Sequence, residues 1–433
     1  MTDRQAMSHL LRRVTFGPTA AEVDAAVRAG SAGTLAAALE PAAPAPPIDL
    51  GPDPLGALPR DASRDRRVKA REAAQAQVAE LSRWWLRQLA SAGGGAAEKL
   101  TFFWHGHWAT SVRKVRSAGL MLRQQQTFRR YGAGDTGPFV RAMLRDPALI
   151  IWLDGQRNTA AAPNENLARE LMELFTLGVG RYTENDVKAG ARALTGWQVD
   201  RATATARLRP ARHDTTPATL LGATRSWDAD SYADLLVRHP AHAPFLAERL
   251  WVRYGCGTAA SAATTARLVA AFGPGRDSTA LLRALATDPE FPATAGQLVK
   301  QPVEWLIGAL RQLGVDTGAL AEKQQTRLLA TLSALGQAPL RPPSVGGWPA
   351  GVAWLTTSST RARLAGAQAL ATLAPAAVQS LAEAARPDRL DALARLLVVD
   401  AWSDRSAAAL TSLATQPQRL LALGLATPEY AVH

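Results

Sequence analysis

Helix signals run through almost the whole chain and constrain its fold more than any other feature. Leucine and alanine recur at helical spacing, whereas runs in which apolar and polar residues alternate are scarce. Thr19 is followed three residues later by Glu22, the spacing of a capping box that opens a helix. Thr183 and Asp186 repeat this spacing. The sequence therefore predicts a mainly α protein, a multi-helix globular bundle with at most a small β-hairpin near residues 198–210.

Two non-helical segments interrupt this pattern. Residues 41–62 hold seven prolines and cannot be helical, so they form an extended connector or a loop along the surface. Residues 341–354 form the second. Helices are predicted at about 63–92, 230–239, 242–254, 278–287, 303–314, 319–335, 359–373 and 388–399. We expect a single domain over 1–433, with possible sub-lobes at 1–225, which carries the motifs below, and 226–433.

Composition excludes several classes of function. The 433 residues contain no window of about 18 consecutive apolar residues, so no membrane span is predicted. The N-terminus does not resemble a secretory signal, and we expect a cytoplasmic protein. Because Cys256 is the single cysteine, histidine and carboxylate must carry any metal chemistry.

The charge is strongly basic, with a formal net value of +12. Only six of the 49 basic residues are lysine, and the excess is spread along the chain without a recognisable nucleic-acid module. The densest arginine clusters, at 60–71 and 113–130, are interpreted as solvated helical faces; polyanion binding through them is a minority hypothesis. We therefore do not expect nucleic acid as a partner.

The first motif that could carry chemistry is FFWHGHW, residues 102–108. On an uninterrupted helix His105 and His107 would point roughly 200° apart, so both could not face one metal ion. Gly106 makes a local break cheap, and on extended backbone both rings would lie on one side. The alternative is a pair of hydrogen-bonded core histidines.

The second motif is NENLARELMELFTLG, residues 164–178. Helical geometry places charged side chains within one arc of about 140°: Glu165, Arg169, Glu170 and Glu173. If this arc faces water, Glu165 and Arg169 form an ordinary i,i+4 ion pair. If it faces inward, its carboxylates and arginine could hold a metal or move protons.

The third motif is a loop in which His213 precedes Asp214, an imidazole and a carboxylate within reach of one ion or of each other. A Gly-x-Gly-x-x-Gly at 132–137 follows a helical stretch and is interpreted as a plain loop. No phosphate-binding Gly-Lys-Ser/Thr loop and no Gly-x-Ser-x-Gly occur. Nucleotide enzymes and serine hydrolases are disfavoured accordingly.

Several segments together resemble one bacterial family, called domain of unknown function 1800. They follow its order and spacing over nearly the whole chain: SHLLRRVTFGPT, LTFFWHGHWATS, residues 164–197, RHDTTPATLLG, FLAERLWVRYG, KQPVEWLIGAL and RPPSVGGWPAGVAWL. The resemblance implies a largely helical fold and leaves the chemistry unassigned. It also implies that polar residues inside these segments are the better site candidates. Ala218 departs from the family, which has a lysine in the His213 loop.

The sequence predicts a metal-dependent enzyme, redox rather than hydrolytic, acting on an unknown small molecule or peptide. The candidate metal ligands are His105, His107, Glu165, Glu173 and His213, and the candidate catalytic residues are Arg169, Glu170 and Asp214. Mixed imidazole and carboxylate ligands favour iron, manganese or zinc, with copper as a further option. The alternative is a non-catalytic helical binding or scaffolding protein with a protein partner, whose polar motifs are buried structural networks.

Overall fold

The computed structural model describes residues 1–41, 44–59, 61–91 and 95–433, and these residues are mainly helical. The α-helices are α1 (Asp3–Val14), α2 (Ala20–Ala38), α3 (Arg64–Ala90), α4 (Gly95–His107), α5 (Val112–Val115), α6 (Ala118–Tyr131), α7 (Thr136–Leu144), α8 (Pro147–Trp152), α9 (Asn166–Glu170), α10 (Glu184–Ala193), α11 (Ala229–Arg238), α12 (His242–Tyr254), α13 (Ala262–Phe272), α14 (Ser278–Ala286), α15 (Pro302–Gln312), α16 (Glu322–Ala334), α17 (Thr357–Leu373), α18 (Pro375–Glu383), α19 (Arg389–Leu397), α20 (Asp404–Thr411), α21 (Pro417–Ala426) and α22 (Pro428–Ala431). A π-helix, Leu171–Thr176, continues α9.

The strands of the described residues form two antiparallel pairs, β1 (Trp197–Asp200) with β2 (Thr205–Leu208) and β3 (Ala218–Leu220) with β4 (Ala223–Arg225). The mainly α fold with a hairpin near 198–210 is confirmed. The second pair was not predicted, because each of its strands has only three residues. None of the described helices is both long enough and apolar enough to cross a bilayer.

Side-chain caps begin the predicted helices. The Thr19 backbone N–H donates to the Glu22 carboxylate at 2.7 Å, while the Thr19 hydroxyl accepts from the Glu22 N–H, so the predicted capping box of α2 is present. The box at Thr183 is present too and opens α10. Ser63 caps α3 by accepting from the backbone of Arg66.

The proline-rich segment lies along the surface of α3. The Trp84 indole donates to the carbonyl of Pro46 at 3.0 Å, and the Gln77 amide donates to that of Pro52 at 2.9 Å. Ile48 and Leu50 pack partly buried against the neighbouring core. Of the sequence-based predictions, residues 42, 43 and 60 and the end of the long helix at 92–94 lie outside the described residues.

The described residues form two large apolar cores and a smaller cluster that includes Met7 and Val23, and α4 contributes to both large cores. The first core includes Trp104, Phe139 and Phe175, and the second includes Trp85 and Trp305. Helices α11 to α14 pack into the first core, while α3 packs with α15 and α16 in the second. Each of the two large cores draws residues from both sides of residue 225, and the division into sub-lobes there stays a prediction.

Candidate functional site

The aromatic segment 102–108 lies almost entirely on α4, and the helix continues through Gly106 to His107. The backbone break that would aim both rings at one ion is absent. His105 consequently packs among residues of the second core and His107 among residues of the first. The two imidazoles therefore face different ways, as residues two apart on a helix do, and their assignment as metal ligands stays a prediction.

His105 is fully buried and holds a neighbouring segment. Its Nε2 atom accepts a hydrogen bond from the backbone N–H of Leu340 at 3.1 Å. Its ring centroid lies 5.0 Å from that of Trp85 and 5.2 Å from that of Trp348. Burial lowers the pKa of His105 to about 3, so the imidazole is neutral.

His107 is buried on the other side of α4. Its Nε2–H donates to the carbonyl oxygen of Phe175 at 2.9 Å, which ties α4 to the π-helix. Its ring centroid lies 6.1 Å from that of Phe245 on α12. Burial first, and the charge of Arg249 second, lower the pKa of His107 to about 3.

The polar arc of α9 lies at the half-buried surface. The Arg169 guanidinium is 3.1 Å from Glu165 and makes two bonds to Glu184, at 2.7 and 2.8 Å. Its bond to Glu184 raises the pKa of Arg169. The Arg169 side chain is 34% exposed. This arrangement is a partly solvated ion-pair network that joins α9 to α10.

Glu170 and Glu173 follow on the same face. The hydroxyl of Tyr182 donates to the Glu173 carboxylate. Burial, and then the charge of Glu173, raise the pKa of Glu170. No histidine bonds either carboxylate among the described residues.

His213 and Asp214 bond to α10 and the turn after it. The Nδ1 atom of His213 lies 3.1 Å from the carbonyl oxygen of Thr195. The Nε atom of Arg192 donates to Asp214 at 2.7 Å and lowers the pKa of that carboxyl well below its usual range. Asp214 is therefore a poor proton acceptor near neutral pH.

The predicted ligands and catalytic groups thus lie in separate networks. No three histidine, cysteine, aspartate or glutamate side chains are placed to hold one metal ion within the part of the chain that the structure describes. The structure does not bring the predicted set together. The assignment of individual roles to these residues stays a prediction.

A cleft opens at the surface beside α12. We call it the arginine cleft; it has a volume of about 840 Å³ and is lined by α12, by residues 177–181 after the π-helix, and by residues 348–350. Phe245 and Trp348 provide apolar surface, and Arg181, Arg249 and Arg253 provide charge. Cavities of about 300–1,000 Å³ are typical of small-molecule sites.

The cations of the cleft differ in their partners. Arg253 donates to the carbonyls of Trp348 and Pro349, the latter at 2.8 Å, and so holds the loop that forms one wall. Arg249 makes no hydrogen bond or salt bridge to any described residue. Burial lowers the pKa of Arg249, and the Glu248 charge offsets only part of this effect.

Trp348 and Arg253 also line a small inner cavity of about 20 Å³, enough for one water molecule. Phe102, Phe103 and Gly106 form part of its wall. The aromatic segment therefore reaches this cavity through residues other than its histidines.

A buried ion pair lies at the same cavity. Lys99 Nζ is 2.7 Å from Glu304 Oε1, and the two side chains are 5% and 3% exposed. His433 Nε2 lies 3.7 Å from the other oxygen of Glu304. Burial lowers the pKa of Lys300 to about 7 and that of Arg13 to about 9. Three buried basic side chains, Arg13, Lys99 and Lys300, thus interact electrostatically with the carboxylate of Glu304.

Sequence reasoning missed these residues. Glu304 interrupts the apolar run PVEWLIGAL, Lys99 directly precedes the run that begins at Leu100, and a charge on an otherwise buried helix is a readable signal. Arg249 and Arg253 carried no such signal, because arginine is abundant along the chain. Both arginines lie in FLAERLWVRYG, a segment that carries the family resemblance but gives no local sign of a binding site.

These features define a mainly helical protein with an arginine-lined cleft between α12 and the Trp348 loop. The chain belongs to the family described as Protein of unknown function (DUF1800), which matches residues 9–432. The resemblance stated from the sequence is confirmed. No curated protein and no solved structure matches the chain.

Proposed function

We propose that this protein binds a small organic anion, a carboxylate or phosphate joined to an apolar group, in the arginine cleft. The observation that carries the proposal is Arg249, a half-buried guanidinium without a hydrogen-bond partner among the described residues. A partly desolvated cation gains free energy when an anion pairs with it. An anionic ligand would supply that partner.

The neighbouring residues fit the rest of such a ligand. Arg253 donates a hydrogen bond to the carbonyl oxygen of Pro349 in the Trp348 loop. Burial, and then the charge of Arg249, lower the pKa of Arg253 to about 10. Phe245 and Val252 add apolar surface to the same cleft. The ligand would therefore place its charge at the arginines and its apolar part against these side chains.

This proposal follows the second of the two functions that the sequence predicts, a binding protein, and not the first, a metal-dependent enzyme. Binding at the cleft uses none of the eight residues predicted as ligands or catalytic groups. A metal-dependent redox reaction stays a prediction with its own test, given below.

Calorimetric titration with phenylphosphate, inorganic phosphate and phenol tests the proposal. Phenylphosphate carries both parts of the ligand and should bind more tightly than either of the others. Arg249→Gln should weaken its binding about tenfold, the loss of one charge-assisted contact. Arg283→Gln, an exposed arginine on α14 outside the cleft, is the control of equal charge and should leave the affinity unchanged.

Two results would overturn the proposal. One is equal binding of phenylphosphate and inorganic phosphate, which would remove the apolar half of the site. The other is equal loss of affinity in Arg249→Gln and Arg283→Gln, which would reduce the effect to overall charge. Circular dichroism of both variants confirms that they are folded.

A further inference from the structure

A second basic surface lies away from the arginine cleft. Four arginines line one concavity of about 520 Å³: Arg71 on α3, Arg113 on α5, Arg116 at the end of α5, and Arg341. Its floor includes Ala74, Val78 and Val112, and none of its lining residues is acidic. We call this surface the four-arginine pocket.

The four guanidinium groups make no hydrogen bond or salt bridge to a described residue. The carboxylate of Asp53, two residues before the lining residue Leu55, is taken by Arg201 at 3.1 Å. Arg201 also donates to the carbonyl oxygens of Val115 and Arg116, at 3.0 and 2.9 Å. A fifth cation therefore lies behind the pocket, and the nearby acid is neutralised.

Of the other arginines at the surface, some, such as Arg28 and Arg327, have no hydrogen bond or salt bridge to a described residue, and several are paired. Arg141 bonds Asp234, Arg145 bonds Asp230, and Arg267 bonds Asp288. A solvated helical face normally mixes both signs of charge in this way. The residues that line the four-arginine pocket include no acidic side chain, so the pocket lacks the second sign of charge.

The backbone fixes this arrangement. The N–H of Val112 donates to the carbonyl oxygen of Leu340 at 2.9 Å, which holds the segment of Arg341 against α5. Leu340 in turn donates its N–H to His105 Nε2 at 3.1 Å. Arg116 and Leu340 both have positive φ, 53° and 64°, a conformation that L-residues rarely adopt. These bonds hold like charges together across three segments of the chain.

We propose that the four-arginine pocket is a binding site for an oligophosphate group, separate from the arginine cleft. Guanidinium groups bind phosphate oxygens through paired hydrogen bonds, and four of them match the charge of a triphosphate better than that of a single phosphate. The group can belong to free tripolyphosphate or to a nucleoside triphosphate. The apolar floor offers no aromatic ring for stacking a base, so the phosphates provide the recognition.

Calorimetric titration of the full chain with sodium tripolyphosphate at low ionic strength tests the site. The variant with all four arginines changed to glutamine should lose affinity about 100-fold, the equivalent of two lost bidentate contacts. The matched control changes four exposed arginines outside the pocket that have no hydrogen bond or salt bridge to a described residue: Arg28, Arg327, Arg361 and Arg405. It has the same net charge and should keep the wild-type affinity within about threefold.

Competitors identify the source of the phosphates. If ATP competes for the pocket as well as tripolyphosphate does, and adenosine does not compete, the phosphates alone are recognised. Inorganic phosphate should bind far more weakly than either. Arg249→Gln should leave tripolyphosphate binding unchanged, so failure at one site is distinguishable from failure at the other.

Three outcomes would overturn the inference. The first is an equal loss of tripolyphosphate affinity in the pocket variant and in the control with four scattered changes. The second is equal affinity for inorganic phosphate and tripolyphosphate. The third is displacement of tripolyphosphate by duplex DNA at a phosphate concentration lower than that at which ATP displaces it. The last would mark the surface as a nucleic-acid interface. If the fourfold variant does not fold, Arg341→Gln replaces it and must weaken binding about tenfold.

Discussion

Replacing Glu304 by glutamine tests the buried ion pair at the inner end of the arginine cleft. Lys99 Nζ and Glu304 Oε1 are 2.7 Å apart, and neither side chain is more than 5% exposed. Glutamine has nearly the same shape and can still accept from the backbone N–H of Gln301, which donates to Glu304 at 2.8 Å. The substitution therefore removes charge while keeping the helix cap of α15.

The expected loss of stability depends on the hydrogen bonds that Lys99 keeps in the variant. Removing one partner of a buried ion pair costs about 3–5 kcal/mol. Lys99 also donates to the carbonyl oxygens of Arg12 and Thr15, at 3.1 and 2.9 Å, so its ammonium would still be hydrogen-bonded. We expect a loss near the lower end of that range, about 3 kcal/mol.

The direction in which the stability loss changes with pH distinguishes the loss of the ion pair from poor packing of the glutamine side chain. Burial lowers the pKa of Lys99, and Glu304 opposes that effect. Without Glu304 the folded chain releases the Lys99 proton at lower pH, whereas an unfolded lysine keeps it to about pH 10.4. The unfolded state then binds more protons, so stability rises with pH. The deficit of Glu304→Gln against wild type should shrink between about pH 7 and pH 10.

Urea unfolding followed by circular dichroism at both pH values measures this deficit. The control is Glu322→Gln, whose carboxylate lies 3.0 Å from Arg83 but is 74% exposed. It should cost less than about 1 kcal/mol, because an exposed pair is solvated when broken. Equal losses in the two variants, or a Glu304→Gln deficit that does not change with pH, would refute the reasoning.

Three further predictions use other residues. Elemental analysis of protein purified without a histidine tag should find no stoichiometric iron, manganese, zinc or copper, because His105 and His107 each bond to a different backbone group of the protein. A stoichiometric ion that is lost in the double variant His105→Ala, His107→Ala would support the metal hypothesis. Asp146→Asn should gain thermal stability relative to wild type from about pH 4 to pH 7, because burial raises the pKa of Asp146 to about 7 and the charged form costs stability; parallel melting profiles would contradict this. Wild type should lose more stability than Asp214→Asn as pH falls below about 4, because Arg192 lowers the pKa of Asp214 and protonation removes their ion pair; identical acid profiles would contradict this.

The helices could be predicted because their signals are local. The capping boxes at Thr19 and Thr183 form as the spacing indicated, and the helix predicted at 242–254 coincides with α12. Proline alone determined that the described residues between 44 and 59 are not helical. The division into two cores was not accessible in this way, because it depends on which distant helices meet.

The candidate site was harder to predict for a related reason. Periodicity placed Glu165 and Arg169 on one face, but the same pattern fits a metal site and a surface network. Only the contact with Glu184 on α10 distinguishes them. The arginine cleft is formed by three segments that are distant along the chain, at 177–181, 239–253 and 348–350, and no local pattern marks Arg249 among so many arginines.

The aromatic segment of α4 contacts segments that border both basic sites. His105 holds Leu340 at the edge of the four-arginine pocket, while the carbonyl of Gly106 lies so close to Gly347 that a Cβ there would meet it at 2.1 Å. Gly347 precedes Trp348, a wall of the arginine cleft. His105→Leu, which leaves the Leu340 amide without an acceptor, should therefore lower stability by about 1–3 kcal/mol and weaken tripolyphosphate binding more than His105→Gln, which can still accept. Unchanged binding in both variants would show that the segment supports packing alone.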